Sequence, residues 1–241
     1  MFLKNININS NVLSVNDVTK TYGKFKALDS VSFQIGNGIT ALLGNNGAGK
    51  TTLINFIVGL IETDTGSVAL NGIDNRVQGK EFRNNVGFLP QECGYYDNFT
   101  ALQFLKYIGT IKNVPKKECM ALIESYMNKL ELWEYRNRRI GQYSGGMKHR
   151  LGIIQALLNT PELLILDEPT TGLDYNERNE FADIMKEYSK EHIVIISTHI
   201  FSDVEELASQ VLILNSGKLV CNEKFEKGIS IKEHYIQYFQ R

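Results

Sequence analysis

The chain has 241 residues, of which 43% are hydrophobic and 22% are charged, a composition typical of a globular protein with a sizeable core. Its 26 Lys and Arg residues against 27 Asp and Glu residues give a net charge of −1, which argues against a general binder of polyanions but leaves a local patch open. No stretch approaches the roughly 20 consecutive apolar residues of a membrane-spanning helix. The three scattered cysteines argue against a disulfide framework or a zinc cluster, and residues 1–10 lack the apolar region of a secretory signal. We therefore expect a cytosolic protein.

The first part of the chain predicts strands that lead into a glycine-rich turn. A strand at Val12–Val18 is followed by a second at Leu28–Ile35, which ends at the turn 36–38. The apolar run Ile39–Leu43 is typical of a strand buried on both faces. From Lys50 to Leu60 the pattern becomes helical, so a buried strand, a glycine-rich turn and a helix follow one another directly.

The middle of the chain is predicted to be mainly helical. Residues 66–72 suit a short exposed strand, and Val86–Leu89 suit another buried one. Between Asn98 and Glu134 apolar residues recur at helical spacing. After Ser144 a further helix carries apolar residues inward and stops before Pro161.

The last part of the chain predicts alternating strands and helices. In chain order these are Leu163–Leu166 (strand), Tyr175–Tyr188 (helix), Ile193–Ser197 (strand), Asp203–Ser209 (helix) and the strands Val211–Leu214 and Lys218–Val220. Strands that alternate with helices predict an α/β fold with a mainly parallel sheet.

Residues 44–51 match the pattern G-x-x-x-x-G-K-[ST] at every position. In this pattern the glycines let backbone N–H groups turn inward, and the following helix presents the positive end of its dipole to a phosphate. Lys50 is placed to pair with the β- and γ-phosphates, and the Thr51 hydroxyl is placed to hold Mg²⁺. A simple glycine-rich connector is the alternative, but it does not explain the flanking strand and helix. The predicted nucleotide-binding residues are Gly44, Asn45, Asn46, Gly47, Ala48, Gly49, Lys50, Thr51 and Thr52.

The predicted strand Leu163–Leu166 runs into two carboxylates, Asp167 and Glu168. Ligands of open α/β sheets bind at the carboxyl ends of strands, where Asp167 would orient Mg²⁺. Glu168 points to the opposite side of the strand and could polarise the water that attacks the γ-phosphate. A solvated acidic turn is the alternative, and the phosphate-loop pattern upstream favours the catalytic interpretation.

Further motifs follow in a fixed order. The segment Tyr143–Met147, which reads YSGGM, resembles the signature motif of ATP-binding cassette (ABC) proteins. The resemblance extends over nearly the whole chain and includes KTYGKFKAL with Tyr22, GFLPQE with Gln91, DEPTTGLD at 167–174 and IISTHI with His199. It implies a P-loop NTPase core with a mainly parallel sheet, an N-terminal antiparallel β subdomain and an inserted helical subdomain.

The family architecture implies one nucleotide-binding domain over residues 1–241. Residues 1–91 and 151–221 would form the ATP-binding core, 92–150 the helical signature subdomain, and 222–241 a short tail. In the tail, one helical face carries Ile231, Tyr235, Tyr238 and Phe239. This face packs on the chain's own sheet or contacts a second subunit.

The resemblance also implies roles for single residues outside the phosphate loop. Tyr22 resembles the aromatic residue that stacks on adenine, and an ordinary exposed aromatic is the alternative. His199 resembles the switch histidine that senses the γ-phosphate, and a local hydrogen bond is the alternative. Gln91 resembles the glutamine that reaches Mg²⁺ or the lytic water and joins the core to the helical part.

The signature segment departs at both ends from the commonest family form, Leu-Ser-Gly-Gly-Gln, because Tyr143 and Met147 stand there. Its centre, Ser144, Gly145 and Gly146, is intact and implies contact with the γ-phosphate of an ATP held by a second copy. A simple helix cap at Ser144 is the alternative. The form with an aromatic residue and Met resembles the branch that serves drug, peptide and antibiotic-resistance exporters.

Taken as a whole, the resemblance implies an ATPase subunit that powers transport through separate membrane-spanning permease subunits, and the form of its signature implies an exporter. ATP and Mg²⁺ are the implied cofactors, with Glu168, His199 and Gln91 in catalysis and Thr51, Gln91 and Asp167 at the metal. The subunit would act as a homodimer or as a heterodimer with a second ATP-binding subunit, peripherally on the cytoplasmic side of the membrane.

Two other functions stay open. One is an ABC-type ATPase of cofactor or iron–sulfur assembly without a membrane partner. The other is a nucleic-acid-associated ABC ATPase of repair or translation, against which the single set of motifs and the near-neutral charge argue. We expect no nucleic-acid partner.

Overall fold

The computed structural model describes residues 11–225 and 230–238. The strands are β1 Val12–Tyr22, β2 Phe25–Gly36, β3 Gly38–Leu43, β4 Thr65–Leu70, β5 Ile73–Asp74, β6 Val86–Leu89, β7 Leu163–Asp167, β8 Ile193–Ser197, β9 Gln210–Asn215 and β10 Lys218–Lys224. The α-helices are α1 Lys50–Ile57, α2 Gly79–Asn84, α3 Ala101–Ile111, α4 Lys116–Lys129, α5 Gly145–Leu157, α6 Tyr175–Tyr188, α7 Ser202–Glu205 and α8 Ile231–Gln237, with short 3₁₀ helices at Trp133–Tyr135 and Ile140–Gln142.

The larger sheet has the order β10-β9-β3-β8-β7-β6, and every pair except β10–β9 is parallel. The run Ile193–Ile196 in β8 is buried on both faces, as expected when layers cover both sides of a parallel sheet. In register, Asp167 at the end of β7 lies beside Ser197 at the end of β8. The carboxyl ends of β3, β8 and β7 therefore meet at one edge.

The smaller sheet has the order β2-β1-β4-β5 and is antiparallel, which confirms the predicted antiparallel β part. The prediction of an exposed strand over 66–72 was wrong in one respect. Strand β4 lies between β1 and β5, and its Val68 and Leu70 are fully buried, because alternate residues of the strand face the core.

Two hydrophobic clusters cover the two faces of the parallel sheet. In β7, Leu164 and Leu166 belong to one cluster, whereas Leu163 and Ile165 belong to the other. The first cluster contains residues of α3, α4, α5 and α6, and the second contains residues of α1 and the antiparallel sheet. The sheet thus separates a helical layer from a layer that contains the phosphate-loop helix.

The predicted helical segment is confirmed. Helix α3 begins at a capping box, in which the Thr100 hydroxyl accepts from the Gln103 N–H and the Gln103 side chain accepts from the Thr100 N–H. Helix α5 begins at Ser144, whose hydroxyl accepts from the Met147 N–H at 3.2 Å. Among the described residues, no helix combines the length and the apolar character needed to cross a membrane.

Several predicted bounds differ from the structure. The helix predicted from Lys50 ends at Ile57 rather than Leu60, since Gly59 adopts a left-handed φ of 79°. The helix predicted over Asp203–Ser209 covers only Ser202–Glu205, because the Ser209 N–H already donates to the carbonyl oxygen of Ile39 near the start of the interior strand β3. The tail contains α8, whereas Phe239, which the sequence places on the same helical face, lies outside the described residues. Residues 1–10 also lie outside them.

Candidate nucleotide site

The phosphate loop connects β3 to α1 through a backbone that requires glycine. Gly47 and Gly49 have φ values of 80° and 107°. A Cβ atom at Gly49 would lie 2.5 Å from the carbonyl oxygen of Ala27 in β2. The loop therefore packs so closely on the β1–β2 hairpin that a side chain at this position does not fit.

The Lys50 side chain turns back over the loop. Its Nζ donates to the carbonyl oxygens of Gly44 at 2.6 Å and of Asn45 at 3.3 Å. Burial lowers the pKa of Lys50, and the charges of Glu168 and Asp167 oppose that decrease. The lysine predicted to pair with phosphates thus lies within electrostatic range of both predicted carboxylates.

As whole residues, Asp167 and Glu168 at the end of β7 are 5% and 9% exposed, so both are buried. Burial raises the pKa of Asp167 and the nearby Glu168 charge adds to the increase, whereas Ser197 and Lys50 lower it. Glu168 has a φ of 54°, a conformation that costs a non-glycine residue energy and is enriched at functional sites.

Glu168 and His199 contact each other directly. The Nδ1 atom of His199 lies 2.8 Å from Oε1 of Glu168, and the Thr198 hydroxyl donates to Oε2 at 3.3 Å. The imidazole is 65% exposed, while the carboxylate is 11% exposed. The residues predicted as base and switch thus form one pair at the carboxyl edge of the sheet. Sequence reasoning had not included Thr198 in this group.

Gln91 follows β6, the strand beside β7, and is exposed. Among the described residues, no hydrogen bond joins its side chain to Lys50, Asp167 or Glu168. The structure therefore places Gln91 at the same edge of the sheet without bringing it into contact with the acidic pair.

Tyr22 is the last residue of β1 and pairs with Phe25 across the hairpin turn. Its ring is 49% exposed, and the Lys20 ammonium lies 5.2 Å from the ring centroid. Because Ala27 of the same hairpin contacts Gly49, Tyr22 belongs to an element that packs on the phosphate loop.

The signature residues lie apart from the phosphate loop of their own chain. Gly145 and Gly146 are the first residues of α5, where N–H groups have no intrahelical partner. A Cβ atom at Gly146 would be 3.2 Å from the carbonyl oxygen of Gly172, so the signature borders the loop after Glu168. Within the described ranges, no hydrogen bond joins residues 144–146 to residues 44–52.

The loop after Glu168, residues 169–174, is held by the signature helix α5. His149 Nε2 donates to the carbonyl oxygen of Pro169 at 2.5 Å. The buried Arg150 pairs with Glu177 at 3.0 Å, and Glu177 forms a capping box with Asp174 at the start of α6. The signature helix therefore contacts this loop directly through His149, and through Arg150 it contacts the start of the helix that follows the loop.

The same loop is held from the other side by the segment that follows His199. The Asp203 carboxylate, 4% exposed, accepts a hydrogen bond from the Thr170 hydroxyl and pairs with Arg178 at 3.2 Å. Arg178 also donates to the carbonyl oxygen of Leu173 at 3.2 Å. Sequence reasoning missed this group, because a single acidic residue in a predicted helix carries no signal of burial.

The donor set fits Mg²⁺, a hard cation that prefers oxygen ligands. Thr51 offers a hydroxyl, Gln91 an amide oxygen and Asp167 a buried carboxylate beside the phosphate loop. In the part of the chain that the structure describes, no three His, Cys, Asp or Glu side chains cluster as a metal site.

Comparison with known proteins decides the family. The profile described as ABC transporter matches residues 28–171, more than half of the chain. The chain belongs to the ABC transporter family. The predicted family and the predicted P-loop NTPase fold are thereby confirmed, and the chain is an ATPase of this family.

Individual relatives agree with this assignment. YxlF of Bacillus subtilis (strain 168), an uncharacterized ABC transporter ATP-binding protein, is 40% identical over 86% of this chain and 69% of its own length. The bacitracin transport ATP-binding protein BcrA of Bacillus licheniformis is 35% identical over 95% of this chain and 75% of its own. The ATP-binding cassette MJ0796, solved as a dimer in a post-hydrolysis state with ADP and Pi, has a TM-score of 0.80 and 25% identity over 89% of this chain and 99% of its own.

Proposed function

We propose that this ABC-family ATP-binding subunit hydrolyses Mg·ATP in a dimer and thereby powers transport through separate membrane-spanning subunits. The observation that carries the proposal is the contact of Glu168 with His199 at 2.8 Å, beside Asp167 and within electrostatic range of Lys50. A base, a hydrogen-bonding partner and a cation thus converge at the edge of the sheet where ligands of α/β folds bind.

Nucleotide binding would rest on the phosphate loop, whose nine residues were named from the sequence as Gly44 to Thr52. Backbone N–H groups of the loop and of the first turn of α1 would face the phosphates. Lys50 would exchange its bonds to the Gly44 and Asn45 carbonyl oxygens for bonds to the β- and γ-phosphates. Tyr22 would stack on the adenine from the hairpin that packs on Gly49.

Hydrolysis would use Glu168 as the general base. Its carboxylate would take a proton from a water molecule, which attacks the γ-phosphorus while the bond to the bridging oxygen of ADP breaks. The Nδ1–H of His199 donates to Glu168, which leaves Nε2 directed away from the carboxylate. In the neutral ring Nε2 would accept from the attacking water and orient it, and in the imidazolium form it would donate to the γ-phosphate. Gln91 would complete this group when the loop after β6 moves toward the site.

Thr51, Asp167 and Gln91 are the residues that would hold Mg²⁺. When bound, the ion would supply positive charge that neutralises the phosphates.

A second subunit would complete the site. Ser144, Gly145 and Gly146 present N–H groups at the start of α5 but do not reach the phosphate loop of the same chain, so a partner's signature would contact the γ-phosphate. Residues 169–174 contact both α5 and the segment after His199. A movement of the signature helix on closure of the dimer would therefore also displace the residues next to Glu168 and His199 of the same chain. The dimeric, post-hydrolysis state of MJ0796 supports this arrangement.

The proposal of a membrane partner and of export is supported by a relative, by the form of the signature and by one exposed aromatic surface. BcrA is a bacitracin transport ATP-binding protein. The Tyr143–Met147 signature resembles the form of the exporter branch. An exposed aromatic group lies on the segment after Gln91, where Tyr96 and Tyr107 pack edge-on at 6.0 Å and both contact Phe99. We propose that this group, in the helical part 92–150, contacts the permease on the cytoplasmic face of the membrane.

We propose the same domain boundaries as expected from the sequence. Residues 1–91 and 151–221 would form the ATP-binding core, 92–150 the helical signature subdomain and 222–241 the tail.

The decisive test of the nucleotide site is Lys50→Ala. We expect Mg·ATP binding, measured by calorimetry, to fall below detection, since the side chain that pairs with the phosphates is removed. Lys190→Ala, at a lysine that is 66% exposed beyond the end of α6, is the matched control and should bind as the wild type does. Normal ATP affinity in Lys50→Ala would overturn the assignment.

Transport is tested separately by isolating the tagged subunit from detergent-solubilised membranes. We expect a hydrophobic permease subunit to co-purify. Isolation of the active ATPase from the soluble fraction alone would favour the alternative, an ATPase of cofactor or iron–sulfur assembly.

A further inference from the structure

The C-terminal helix α8 lies against the phosphate loop, although 190 residues separate them in the chain. The Tyr235 hydroxyl donates to Oδ1 of Asn45 at 2.9 Å. A tyrosine hydroxyl carries its proton at neutral pH and can donate, and burial raises the pKa of Tyr235 further in the same direction.

Asn45 is the residue whose backbone closes the phosphate loop. Its carbonyl oxygen accepts from the Ala48 N–H at 3.0 Å and from Lys50 Nζ at 3.3 Å. The hydrogen bond from Tyr235 restrains Asn45 through its side chain. Because Lys50 donates to the carbonyl oxygen of the same residue, this restraint also acts on the partner of the phosphate-binding lysine.

The Tyr235 ring also contacts residues 199–201, which we call the switch segment because it begins at the predicted switch residue His199. The ring centroid lies 4.9 Å from that of Phe201, two residues after His199, with an angle of 59° between the planes. The Phe201 carbonyl oxygen accepts the first bonds of α7, from the N–H groups of Val204 and Glu205. Tyr235 thus contacts both segments that flank the predicted γ-phosphate position.

Contacts at the first residue of helix α8 fix the helix beside the phosphate loop. Ile231 is 1% exposed within the hydrophobic cluster, and its N–H donates to Oε1 of Glu205 at 3.0 Å. Together the three segments line an open pocket of about 260 Å³ between Asn45, Thr198, His199 and Tyr235.

We infer that Tyr235 is a positioning residue of the nucleotide site, which holds the phosphate loop through Asn45 and the switch segment through Phe201. This inference rests on the proposed nucleotide-binding function. It gives the C-terminal tail a role in ATP binding within its own chain.

Steady-state ATPase kinetics of the full chain test the inference. Tyr235→Phe removes only the hydroxyl, and we expect the KM for ATP to rise about fivefold, as loss of one hydrogen bond implies. The kcat should stay within about twofold, because the ring still supports Phe201. Tyr235→Ala should in addition lower kcat, since the switch segment loses its packing partner.

Tyr238→Phe is the matched control, because this tyrosine ends the same helix but its hydroxyl donates to Glu223 at 3.0 Å rather than to the phosphate loop. It should leave KM and kcat unchanged. In a double-mutant cycle, Tyr235→Phe in an Asn45→Ala background should have no further effect on KM, because the bond is already lost.

The inference is overturned by a KM in Tyr235→Phe equal to that of the wild type, or by effects of Asn45→Ala and Tyr235→Phe that add. A shift confined to the unfolding temperature also overturns it, since a merely structural tyrosine would not move KM. These failures differ from failure of the proposed function, in which the wild type itself would not bind ATP in a Lys50-dependent manner.

Discussion

Replacement of Glu168 by Gln removes the negative charge of the predicted base and almost nothing else. The new amide oxygen can accept from His199 Nδ1 at the position where Oε1 now lies, 2.8 Å away. The Thr198 hydroxyl, which donates to the second carboxylate oxygen at 3.3 Å, can instead accept from the amide N–H₂ because a hydroxyl has both capacities. The variant should therefore fold with the geometry of the site intact.

The electrostatic changes favour binding while they abolish the chemistry. Without the Glu168 charge, the pKa of Asp167 loses one of the effects that raise it, so Asp167 is more readily ionised for a cation. One negative charge fewer also lies near the incoming phosphates. Loss of the general base should lower kcat by about 100- to 10,000-fold, the range that proton transfer by a positioned side chain contributes. We thus expect unchanged or tighter Mg·ATP binding together with nearly no turnover.

The assay combines phosphate release, calorimetric ATP binding and size-exclusion chromatography in the presence of Mg·ATP. The Glu168→Gln protein should elute as a dimer with ATP bound, because hydrolysis no longer reopens it. Glu162→Gln is the matched control, since Glu162 precedes the opposite end of the same strand and bonds to Asn71. Hydrolysis at the wild-type rate in Glu168→Gln would remove Glu168 from the role of base.

Two further predictions concern the groups around the acidic pair. Asp203→Asn keeps an acceptor for Thr170 but leaves Arg178 without its charged partner, so the free energy of unfolding should fall by about 1–3 kcal/mol in urea titrations. Asp183→Asn, at a carboxylate that is 81% exposed, should change it little, and equal losses in the two variants would contradict the importance of the buried pair. Asp167 has a folded-state pKa raised above its unfolded value, so its contribution to stability is present at low pH and is lost as pH rises through the folded pKa. Asp167→Asn should therefore raise the unfolding temperature at pH 7 to 8 and have a much smaller effect near pH 4, and a stabilisation that is equal at both pH values would contradict this reasoning.

Much of the fold could be predicted because its signals are local. The bounds of β8, α6 and β6 agree with the prediction to the residue, since apolar runs, helical periodicity and caps act over a few neighbouring positions. The phosphate loop could be recognised for the same reason, because its glycines and Lys50 act within one turn of chain. The length of α7 could not be predicted, because its end depends on the hydrogen bond from the Ser209 N–H to Ile39 of β3, a residue far away in the chain.

What the sequence by itself determined about this protein is its family, its α/β fold and the residues available for chemistry. Tertiary structure alone decided which of them meet. The Glu168–His199 pair depends on β7 and β8 lying side by side in register, and the Asp203–Arg178 and Tyr235–Asn45 contacts depend on loops that cross between elements. Such contacts join residues far apart in the chain, and no local pattern of residue types encodes the spatial order of strands that brings them together.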